Sequence, residues 1–390
     1  MSSSWLSSLE DQAAARERAG LRRELHPRPE EDGLVDLAGN DYLGLSSHPE
    51  VVAAAMSALK GYGLGATASR LVRGSTEVHA ALEIGLATLL GCEAALVYSS
   101  GYLANIGAVR ALASANSMIA SDAHNHASLV DGCRLASAGH SGVRTVVYAH
   151  ADPGSLDAAL PAAGGVAVTE SIFSVHGDLA PLEMLHAVAR RHDAVLLVDD
   201  AHGVGVVGPA GAGGVAAAGL AGEPDVVTTA TLSKGFGGAG GVVAGPRTFI
   251  RHLVETSRTF IYDTGLPPSV AAGALAALEL IRGESGEVSR AELADRAAAA
   301  CRRLRDAGFD VSEPAGGILS VSAPGPEEAV AWASACRARG VAVGCFRPPS
   351  TPDGESRLRL TINVGVRRED FNRALDTIAA AAPASRSDLG

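Results

Sequence analysis

The feature that most constrains the fold is a short apolar run that ends abruptly in polar residues. Residues 194–199 read Ala-Val-Leu-Leu-Val-Asp, and Asp-Ala-His202 follows at once. A short apolar run without an alternating polar face is typical of a strand buried on both sides of a parallel sheet. Ligands bind at the carboxyl ends of strands in open α/β sheets, so Asp199 and His202 are predicted to lie at a functional site.

Similar apolar segments alternate with helical patterns along much of the chain. Several helical stretches begin with a proline or end at a glycine, which are residues that favour helix starts and stops. This alternation predicts a doubly wound α/β sheet. The predicted strands are residues 94–98, 117–121, 144–149, 166–170, 194–199, 225–230 and 241–244.

The chain is long enough for more than one domain. With 390 residues, 47% of them hydrophobic, it can bury a large core. After residue 282 the pattern changes to a long alanine- and arginine-rich helix, followed by short strands and helices. We therefore expect an N-terminal arm of helix and short strands over 1–48, a large domain over 49–282, a small C-terminal α/β domain over 283–383 and a disordered tail over 384–390.

Charge, cysteine content and the N-terminus exclude several classes of function. The net charge of -11 is unfavourable for binding nucleic acid or an anionic membrane. Five cysteines without C-x-x-C spacing argue against a disulfide framework. The N-terminus lacks the basic start and apolar core of a signal peptide, and no apolar run approaches membrane-spanning length. We expect a cytoplasmic protein that binds neither nucleic acid nor membrane.

Lysine is nearly absent from the chain, which gives weight to the positions where it remains. Of 32 lysines and arginines only Lys60 and Lys234 are lysines, and Lys234 lies in Thr231-Leu-Ser-Lys-Gly-Phe-Gly-Gly238. A guanidinium stays protonated at any accessible pH, whereas a desolvated amine can lose its proton and form a Schiff base with a carbonyl. Lys234 is therefore the candidate nucleophile. The alternative is a surface lysine in a glycine-rich loop.

Asp199, His202 and Lys234 together fit one cofactor. A carboxylate at the end of a buried strand is costly unless a cation faces it. The protonated pyridine nitrogen of pyridoxal phosphate is such a cation, and its aldehyde is the group that a reactive lysine binds. Taken alone, Asp199 is more often a strand-end cap or a salt-bridge partner.

Two glycine-containing turns have the appearance of phosphate sites. Ser99-Ser-Gly-Tyr102 follows a predicted strand and begins a predicted helix, so its free backbone N–H groups can hold the cofactor phosphate. Gly235-Phe-Gly-Gly-Ala-Gly240 has the G-x-G-x-x-G spacing, but the strand-like residues 241–244 follow it instead of a helix. A dinucleotide-binding fingerprint is therefore rejected.

Two other classes of function stay open at this point. The first is a metal-dependent hydrolase, because Asp122-Ala-His-Asn-His126 places two histidines beside an aspartate, although a metal site needs a third partner there. Such a hydrolase would bind metal, would not absorb visible light, and would use His124, His126, Asp199, Asp200 and His202. The second is a non-catalytic acyl-carrier-binding or scaffolding protein, in which loss of Lys234 would change nothing.

Motifs along nearly the whole chain resemble those of one enzyme family. In chain order they are Asn40-Asp-Tyr-Leu-Gly-Leu45, Ser69-Arg-Leu-Val-Arg-Gly-Ser75, Ser99-Ser-Gly-Tyr-Leu-Ala-Asn105, His126-Ala-Ser128, Thr169-Glu-Ser-Ile-Phe-Ser-Val-His-Gly-Asp178, Asp199-Asp-Ala-His202, Thr231 to Gly238, Arg347-Pro-Pro349 and Arg357-Leu-Arg-Leu-Thr361. On these motifs the chain resembles the α-oxoamine synthases, a family of class II pyridoxal-phosphate-dependent aminotransferases. The resemblance implies fold type I, with a mostly parallel, seven-stranded sheet in the large domain and a smaller C-terminal α/β domain.

The resemblance also implies roles for the site residues. Lys234 would bind the cofactor aldehyde, Asp199 would keep the ring nitrogen protonated, and His126, otherwise a helix-capping residue, would stack over the ring. His202 and Ser174 would lie at the phenolic oxygen. Lys234, Asp199, His126 and His202 form the expected catalytic set. The expected cofactor contacts are Ser100, Gly101, Tyr102, His126, Ser174, Asp199, His202, Thr231, Lys234 and Thr264.

The family further implies a homodimer with active sites at the subunit interface. Thr264 matches a residue that reaches the phosphate from the neighbouring subunit, and the glycine-rich segment 61–76 can approach a second chain closely. Asp263 departs from the family pattern, because related chains often carry a serine there.

Arg347-Pro-Pro349 resembles the family branch that condenses L-alanine with a pimeloyl thioester of coenzyme A or acyl carrier protein, with loss of carbon dioxide. Members of the glycine C-acetyltransferase and 5-aminolevulinate synthase types remain the alternative. An arginine binds a carboxylate through two hydrogen bonds, so Arg359 is expected to anchor the amino acid unless it pairs with a structural acid. No metal site is expected. The expected substrate contacts are Arg22, Asn40, His126, Arg347, Ser350 and Arg359.

Overall fold

The computed structural model describes residues 4–113, 117–139, 142–162, 164–348 and 350–383. The helices are α1 Ser4–Arg18, α2 Pro49–Tyr62, α3 Glu77–Leu89, α4 Gly101–Leu112, α5 Ala127–Gly139, α6 Pro153–Ala159, α7 Leu182–Arg191, α8 Gly214–Ala217, α9 Arg247–Thr256, α10 Arg258–Ile261, α11 Pro268–Arg282, α12 Glu284–Asp306, α13 Pro326–Ala338 and α14 Arg368–Ala380. The strands are β1 Val35–Leu37, β2 Ala94–Tyr98, β3 Met118–Asp122, β4 Arg144–Tyr148, β5 Val166–Glu170, β6 Val195–Asp199, β7 Val226–Thr231, β8 Gly241–Gly245, β9 Ile318–Ser322, β10 Val341–Phe346 and β11 Arg357–Thr361.

A seven-stranded sheet forms the centre of the molecule. Its strand order is β2-β8-β7-β6-β5-β3-β4, and only β8 runs antiparallel to its neighbours. The register places Asp199 of β6 opposite Glu170 of β5 and Thr229 of β7. The mostly parallel seven-stranded sheet expected from the sequence is therefore confirmed, and the carboxyl ends of three adjacent strands gather polar side chains at one edge.

The central strand β6 is buried on both faces. Leu196 and Val198 pack with α7 on one face, and Leu197 packs with α4 and α5 on the other. All three side chains are fully buried. Apolar residues are favoured at consecutive positions because helices cover both faces of the sheet, as the unbroken apolar run predicted.

A second sheet has the order β1-β10-β11-β9. Strand β1 comes from the N-terminal segment and pairs in parallel with β10, with Val35 opposite Val341. The other two pairings are antiparallel. The N-terminal segment therefore contributes a strand to the sheet of the C-terminal region.

The amphipathic pattern of residues 4–24 predicts a first helix over that range, but α1 ends earlier, at Arg18. Gly20 adopts a φ of 65°, in the left-handed region, and Leu21 donates a backbone hydrogen bond to the carbonyl of Arg16 at 2.8 Å. This is the geometry of a Schellman cap, which glycine favours because it lacks a Cβ.

Four further features were predicted from the sequence: a disordered tail, the Arg347-Pro-Pro motif, no membrane-spanning segment and no disulfide framework. The tail over 384–390 and Pro349 of the Arg347-Pro-Pro motif lie outside the described residues. Within the described part of the chain, no helix is both long and apolar enough to cross a membrane. All five cysteines are free, as their number and spacing predicted.

Candidate active site

A cavity of about 240 Å³ opens where β5, β6 and β7 end. It contains the four residues of the predicted catalytic set, together with four further predicted cofactor contacts. The residues that line it are Ser100, Gly101, Tyr102, Asn105, His126, Ser128, Glu170, Asp199, Ala201, His202, Ala230, Thr231, Ser233 and Lys234. Parallel strands thus bring together residues that lie far apart in the sequence.

The amine of Lys234 lies inside this cavity beside a buried histidine. Its Nζ is 2.7 Å from Nε2 of His202. Burial lowers the pKa of Lys234 to about 8, although the carboxylates of Asp199 and Glu170 oppose the change, and the charge of Arg359 lowers the pKa further. Close to neutral pH a useful fraction of this amine is unprotonated, as a nucleophile or general base requires.

His202 is held from its other side by Tyr42, which belongs to a loop that lines the active site in the family but had no predicted role of its own. Nδ1 of His202 is 2.6 Å from Oη of Tyr42, and both side chains are buried. Burial and the charge of Lys234 hold the pKa of His202 well below its ordinary value, so the ring is neutral. Tyr42 belongs to the Asn40-Asp-Tyr motif, and that motif was the only signal in the sequence that could have identified it.

Asp199 is buried and held by two donors. Asn105 donates from Nδ2 to its Oδ2 at 2.6 Å, and the backbone N–H of Ala201 donates to Oδ1 at 3.0 Å. Thr229 donates to the amide oxygen of Asn105 at 2.5 Å and fixes the orientation of that side chain. A buried carboxylate with this support is suited to accept a hydrogen bond from a protonated ring nitrogen and to keep that nitrogen protonated.

Glu170 is a second buried carboxyl group in the cavity. It accepts the backbone N–H of His126 at 2.6 Å. Burial and the neighbouring Asp199 raise its pKa well above the ordinary value. Glu170 ends the predicted strand 166–170, but the sequence pattern indicated no role for it in the site.

The start of α4 forms the expected anion site. Ser100 caps this helix by accepting the N–H of Leu103 at 3.2 Å, and the remaining N–H groups of the first turn have no partner within the helix. A Cβ on Gly101 would lie 3.1 Å from Cβ of Thr231, so a side chain would crowd this turn. The reactive amine, the supported carboxylate and the anion-binding turn fit pyridoxal phosphate.

Comparisons with known proteins agree with this geometry. The family model for class I and II aminotransferases matches residues 32–378. An 8-amino-7-oxononanoate synthase of Mycolicibacterium smegmatis is 50% identical over 94% of this chain and 93% of its own length. One of Mycobacterium avium is 49% identical over 92% of this chain and 91% of its own length. The chain belongs to the 8-amino-7-oxononanoate synthase family.

Solved structures support the same assignment at the level of the fold and cofactor. A Sphingomonas wittichii serine palmitoyltransferase is 32% identical, with a TM-score of 0.87 and 97% of each chain covered. A variant serine palmitoyltransferase of S. paucimobilis, solved with bound PLP, is 29% identical, with a TM-score of 0.88 and 97% of each chain covered. A Francisella tularensis 8-amino-7-oxononanoate synthase is 25% identical, with a TM-score of 0.76 over 90% of this chain and 98% of that one.

These findings confirm the family, the fold type and the enzyme class predicted from the sequence. The chain is a pyridoxal-phosphate-dependent acyltransferase, as the 8-amino-7-oxononanoate synthase family implies. The sequence motifs carried this information because they span the chain in family order.

Arg359 lies close to the cavity and is almost fully buried. Its Nη1 donates to the carbonyl of Ser174 at 2.9 Å, and its Nη2 donates to Oδ1 of Asn40 at 2.7 Å. The guanidinium stacks 4.7 Å from the ring centroid of Phe346. Its Nε is buried and has no acceptor among the described residues. Arg359 therefore uses two of its five N–H groups, leaves its buried Nε–H without a partner, and forms no ion pair with a structural acid in the described chain.

Three other predicted substrate contacts lie together at a different place. Arg22, Arg347 and Ser350 line a cavity of about 730 Å³ between the N-terminal segment and the C-terminal region. Arg347 donates to the backbone carbonyls of Gly20 and Arg22, the latter at 3.0 Å. Arg23 donates to the hydroxyl of Ser350 at 3.3 Å. The structure separates this group from the residues that line the Lys234 cavity.

Two predicted cofactor contacts also do not line the Lys234 cavity. Ser174 directs its backbone carbonyl to Arg359, and Thr264 is exposed in the turn that precedes α11. Asp263, the departure from the family pattern, accepts a hydrogen bond from the hydroxyl of Ser99, next to the anion-binding turn. Within a single subunit, the cofactor site is therefore built mainly by α4 and the ends of β5, β6 and β7.

The histidines proposed for a metal-dependent hydrolase have a different arrangement from a metal site. The ring of His124 stacks on that of His150, with centroids 3.8 Å apart. In the described parts of the chain, the one group with metal-ligand spacing is His186, Glu223 and Asp225, away from the cavity. Arg190 already pairs with both carboxylates of that group.

Proposed function

We propose that this chain condenses L-alanine with a pimeloyl thioester and releases carbon dioxide, a free thiol and 8-amino-7-oxononanoate, as a step of biotin biosynthesis. The observation that carries the proposal is the buried Arg359, whose Nε has no acceptor among the described residues and whose charge acts on the Lys234 amine. An amino-acid carboxylate satisfies this donor, and a charge-assisted pair with arginine is stronger than a neutral hydrogen bond. The names of the relatives that share about half of the sequence support the same reaction.

Individual residues of the cavity would hold the cofactor. The N–H groups of the α4 start would bind its phosphate, Asp199 would face its ring nitrogen, and His126 would lie beside its ring. The cofactor, when bound, supplies an electron sink for a negative charge at the amino-acid α-carbon. The chain supplies the geometry in which that charge forms.

Arg359 and Lys234 have separate roles toward the amino acid. Arg359 orients the carboxylate, which fixes the direction of the bond from the α-carbon to its hydrogen. Lys234 accepts the α-proton on Nζ, because its lowered pKa leaves part of the amine unprotonated near neutral pH. The deprotonated α-carbon then attacks the thioester carbonyl and the thiol leaves. The carboxylate departs as carbon dioxide, and Lys234 returns the proton to the α-carbon.

Thiol release with matched pairs of substrates tests the proposal. We expect L-alanine with pimeloyl-coenzyme A or pimeloyl-acyl carrier protein to react much faster than glycine with acetyl- or succinyl-coenzyme A. Serine with palmitoyl-coenzyme A is the third arm, because serine palmitoyltransferases are close structural neighbours. Faster release in either of the last two arms would contradict the proposed substrates and leave the cofactor assignment intact.

A homodimer with shared active sites is also part of the proposal. The segment 61–76 exposes apolar side chains, including Leu64 at 83% and Val72 at 81%, which a partner subunit would cover. Thr264 is exposed and could reach the cofactor phosphate of a second subunit. If Lys234→Ala and Thr264→Ala each lose activity, mixed dimers should regain part of it, and a failure to regain activity would contradict shared sites.

The division into domains is proposed on the same basis. Residues 49–282 hold the seven-stranded sheet and the Lys234 cavity, and residues 283–383 supply most of the four-stranded sheet. Limited proteolysis near residue 283 that releases a stable large fragment would support this boundary.

A further inference from the structure

Tyr42 lies at a point where the N-terminal segment, the large sheet and the C-terminal region meet. Its side chain is fully buried, and its carbonyl accepts the N–H of Val364 at 3.0 Å. The ring fills the space above Gly317, where a Cβ would come within 2.4 Å of it. The phenol therefore has a fixed position from which it contacts His202.

The available acceptors determine which atom is the donor in the contact between Tyr42 and His202. Among the described residues, His202 is the only partner of the phenol oxygen. If Nδ1 carried the ring proton, it would donate to the phenol, and the phenol proton would be left without an acceptor in a fully buried place. Such unsatisfied groups are rare and costly. Tyr42 therefore donates to Nδ1.

The direction of this bond fixes the tautomer of His202. A neutral imidazole has one N–H and one lone pair, so accepting at Nδ1 leaves the proton on Nε2. Nε2 is the atom that faces Nζ of Lys234 at 2.7 Å. We propose that Tyr42 is a positioning residue that makes His202 a hydrogen-bond donor toward Lys234 and so favours the unprotonated amine. The inference rests on the proposed role of Lys234 as nucleophile and base.

The other influences on Lys234 act on its charge in both directions. The carboxyl groups of Asp199 and Glu170 favour the protonated amine, while burial and Arg359 favour the neutral one. His126 and Arg359 oppose a charge on His202. Burial keeps the phenol of Tyr42 protonated by raising its pKa, so the donor is present throughout the working pH range.

The scarcity of lysine makes a direct test possible. The sample is the full-length chain, freed of cofactor and labelled with 13C at the lysine side chains. Its NMR spectrum should show two lysine signals, because the chain has two lysines, and the signal that remains in Lys60→Arg is that of Lys234. In Tyr42→Phe, His202 can change tautomer and accept from a protonated amine. We expect the pKa of Lys234 to rise by about 1 to 2 pH units in Tyr42→Phe.

Tyr98→Phe is the matched control. Tyr98 is equally buried and also donates its phenol proton, to Ser257 at 3.0 Å. It should lose a comparable amount of stability without changing the pKa of Lys234. An unchanged Lys234 pKa in Tyr42→Phe, or an equal rise in both variants, would overturn the proposal.

A second measurement needs no tyrosine variant. With 15N-labelled histidine in the wild-type chain, the His202 signals are those lost in His202→Gln, and we expect the proton on Nε2. A proton on Nδ1 would overturn the proposal even if Tyr42→Phe does not fold. Neither measurement depends on the substrates, so a chain that fails to release thiol from pimeloyl-coenzyme A contradicts the proposed function without deciding this inference.

Discussion

Two arginines with the same expected role have different surroundings in the folded chain. Each guanidinium uses two of its five N–H groups in the described chain, those of Arg347 with backbone carbonyls of the N-terminal segment. The difference is burial, because the Nε of Arg359 is buried beside the Lys234 cavity without an acceptor, whereas Arg347 is half-buried at the other cavity. A buried donor without a partner is costly, and a substrate carboxylate would satisfy it. The comparison therefore favours Arg359 as the anchor and Arg347 as a tie between two parts of the chain.

Removal of Lys234 is the strongest way to test whether the Lys234 cavity performs the chemistry. Lys234→Ala should lower kcat for thiol release by about a thousandfold, because the proton acceptor is lost. Lys60→Ala is the matched control, since Lys60 is exposed and lies outside both cavities. Thiol release that survives in Lys234→Ala would place the chemistry elsewhere.

Parallel substitution of the two arginines tests the comparison itself. Arg359→Ala should weaken L-alanine binding by roughly ten- to a hundredfold, which corresponds to one charge-assisted hydrogen bond pair. The change in visible absorbance that L-alanine causes measures this affinity without an acyl donor. Arg347→Ala should leave that affinity nearly unchanged and should make the chain easier to cleave by protease near Gly20. An equal loss of affinity in both variants would contradict the division between the two sites.

His150 differs from the two arginines, because its charged neighbours affect the stability of the fold and not substrate binding. Burial opposes a charge on its ring, but hydrogen bonds to Asp122 and Asp178 outweigh burial and raise its pKa to about 9. A raised pKa adds stability that is fully present below the unfolded pKa, about 6.5, and is lost as pH rises through about 9. His150→Gln should reduce the free energy of unfolding near pH 6 by about 1 to 2 kcal/mol.

Denaturant unfolding at pH 6 and at pH 10 measures this effect. The wild type and His150→Gln should differ less at the higher pH, because the wild-type ring has then lost its proton. A difference that is the same at both values would show that the two aspartates do not stabilise a charge on His150.

The smallest expected effect concerns Ser350. Its hydroxyl accepts a hydrogen bond from Arg23 at 3.3 Å on the exposed side of the larger cavity. Ser350→Ala should change L-alanine affinity by less than about twofold, since exposed polar contacts contribute little. A tenfold loss in the same absorbance titration would place Ser350 at the substrate, as the family resemblance implies.

Much of the fold could be predicted because its signals are local. The unbroken apolar run of β6 and the start of α2 at Pro49 both follow from the residues at those positions. The end of α1 was predicted too late, because the left-handed Gly20 competes with the helical pattern that continues beyond it. Local signals give the kind of element reliably, and its ends less reliably.

The residues of the candidate site also fall into those that local signals predicted and those that they did not. Lys234, Asp199 and His202 were predicted because each follows a recognisable strand and has a chemistry suited to pyridoxal phosphate. Tyr42 was not assigned to the site, because its contact with His202 joins residues 160 positions apart. Glu170 and Asn105 were overlooked for a related reason, since strand register and helix packing bring them to Asp199.

The sequence by itself determined which chemical groups this protein has and which strands and helices carry them. Periodicity, caps and motifs depend on neighbouring residues, so they can be recognised in an unfolded chain. Only the tertiary structure decided which of those groups remain available. Whether the buried Nε of Arg359 has an acceptor, whether Arg347 binds the N-terminal segment, and which nitrogen of His202 holds the proton all depend on hydrogen-bond partners from distant segments. The physical reason is that a buried donor or acceptor must be satisfied by whatever the fold places beside it.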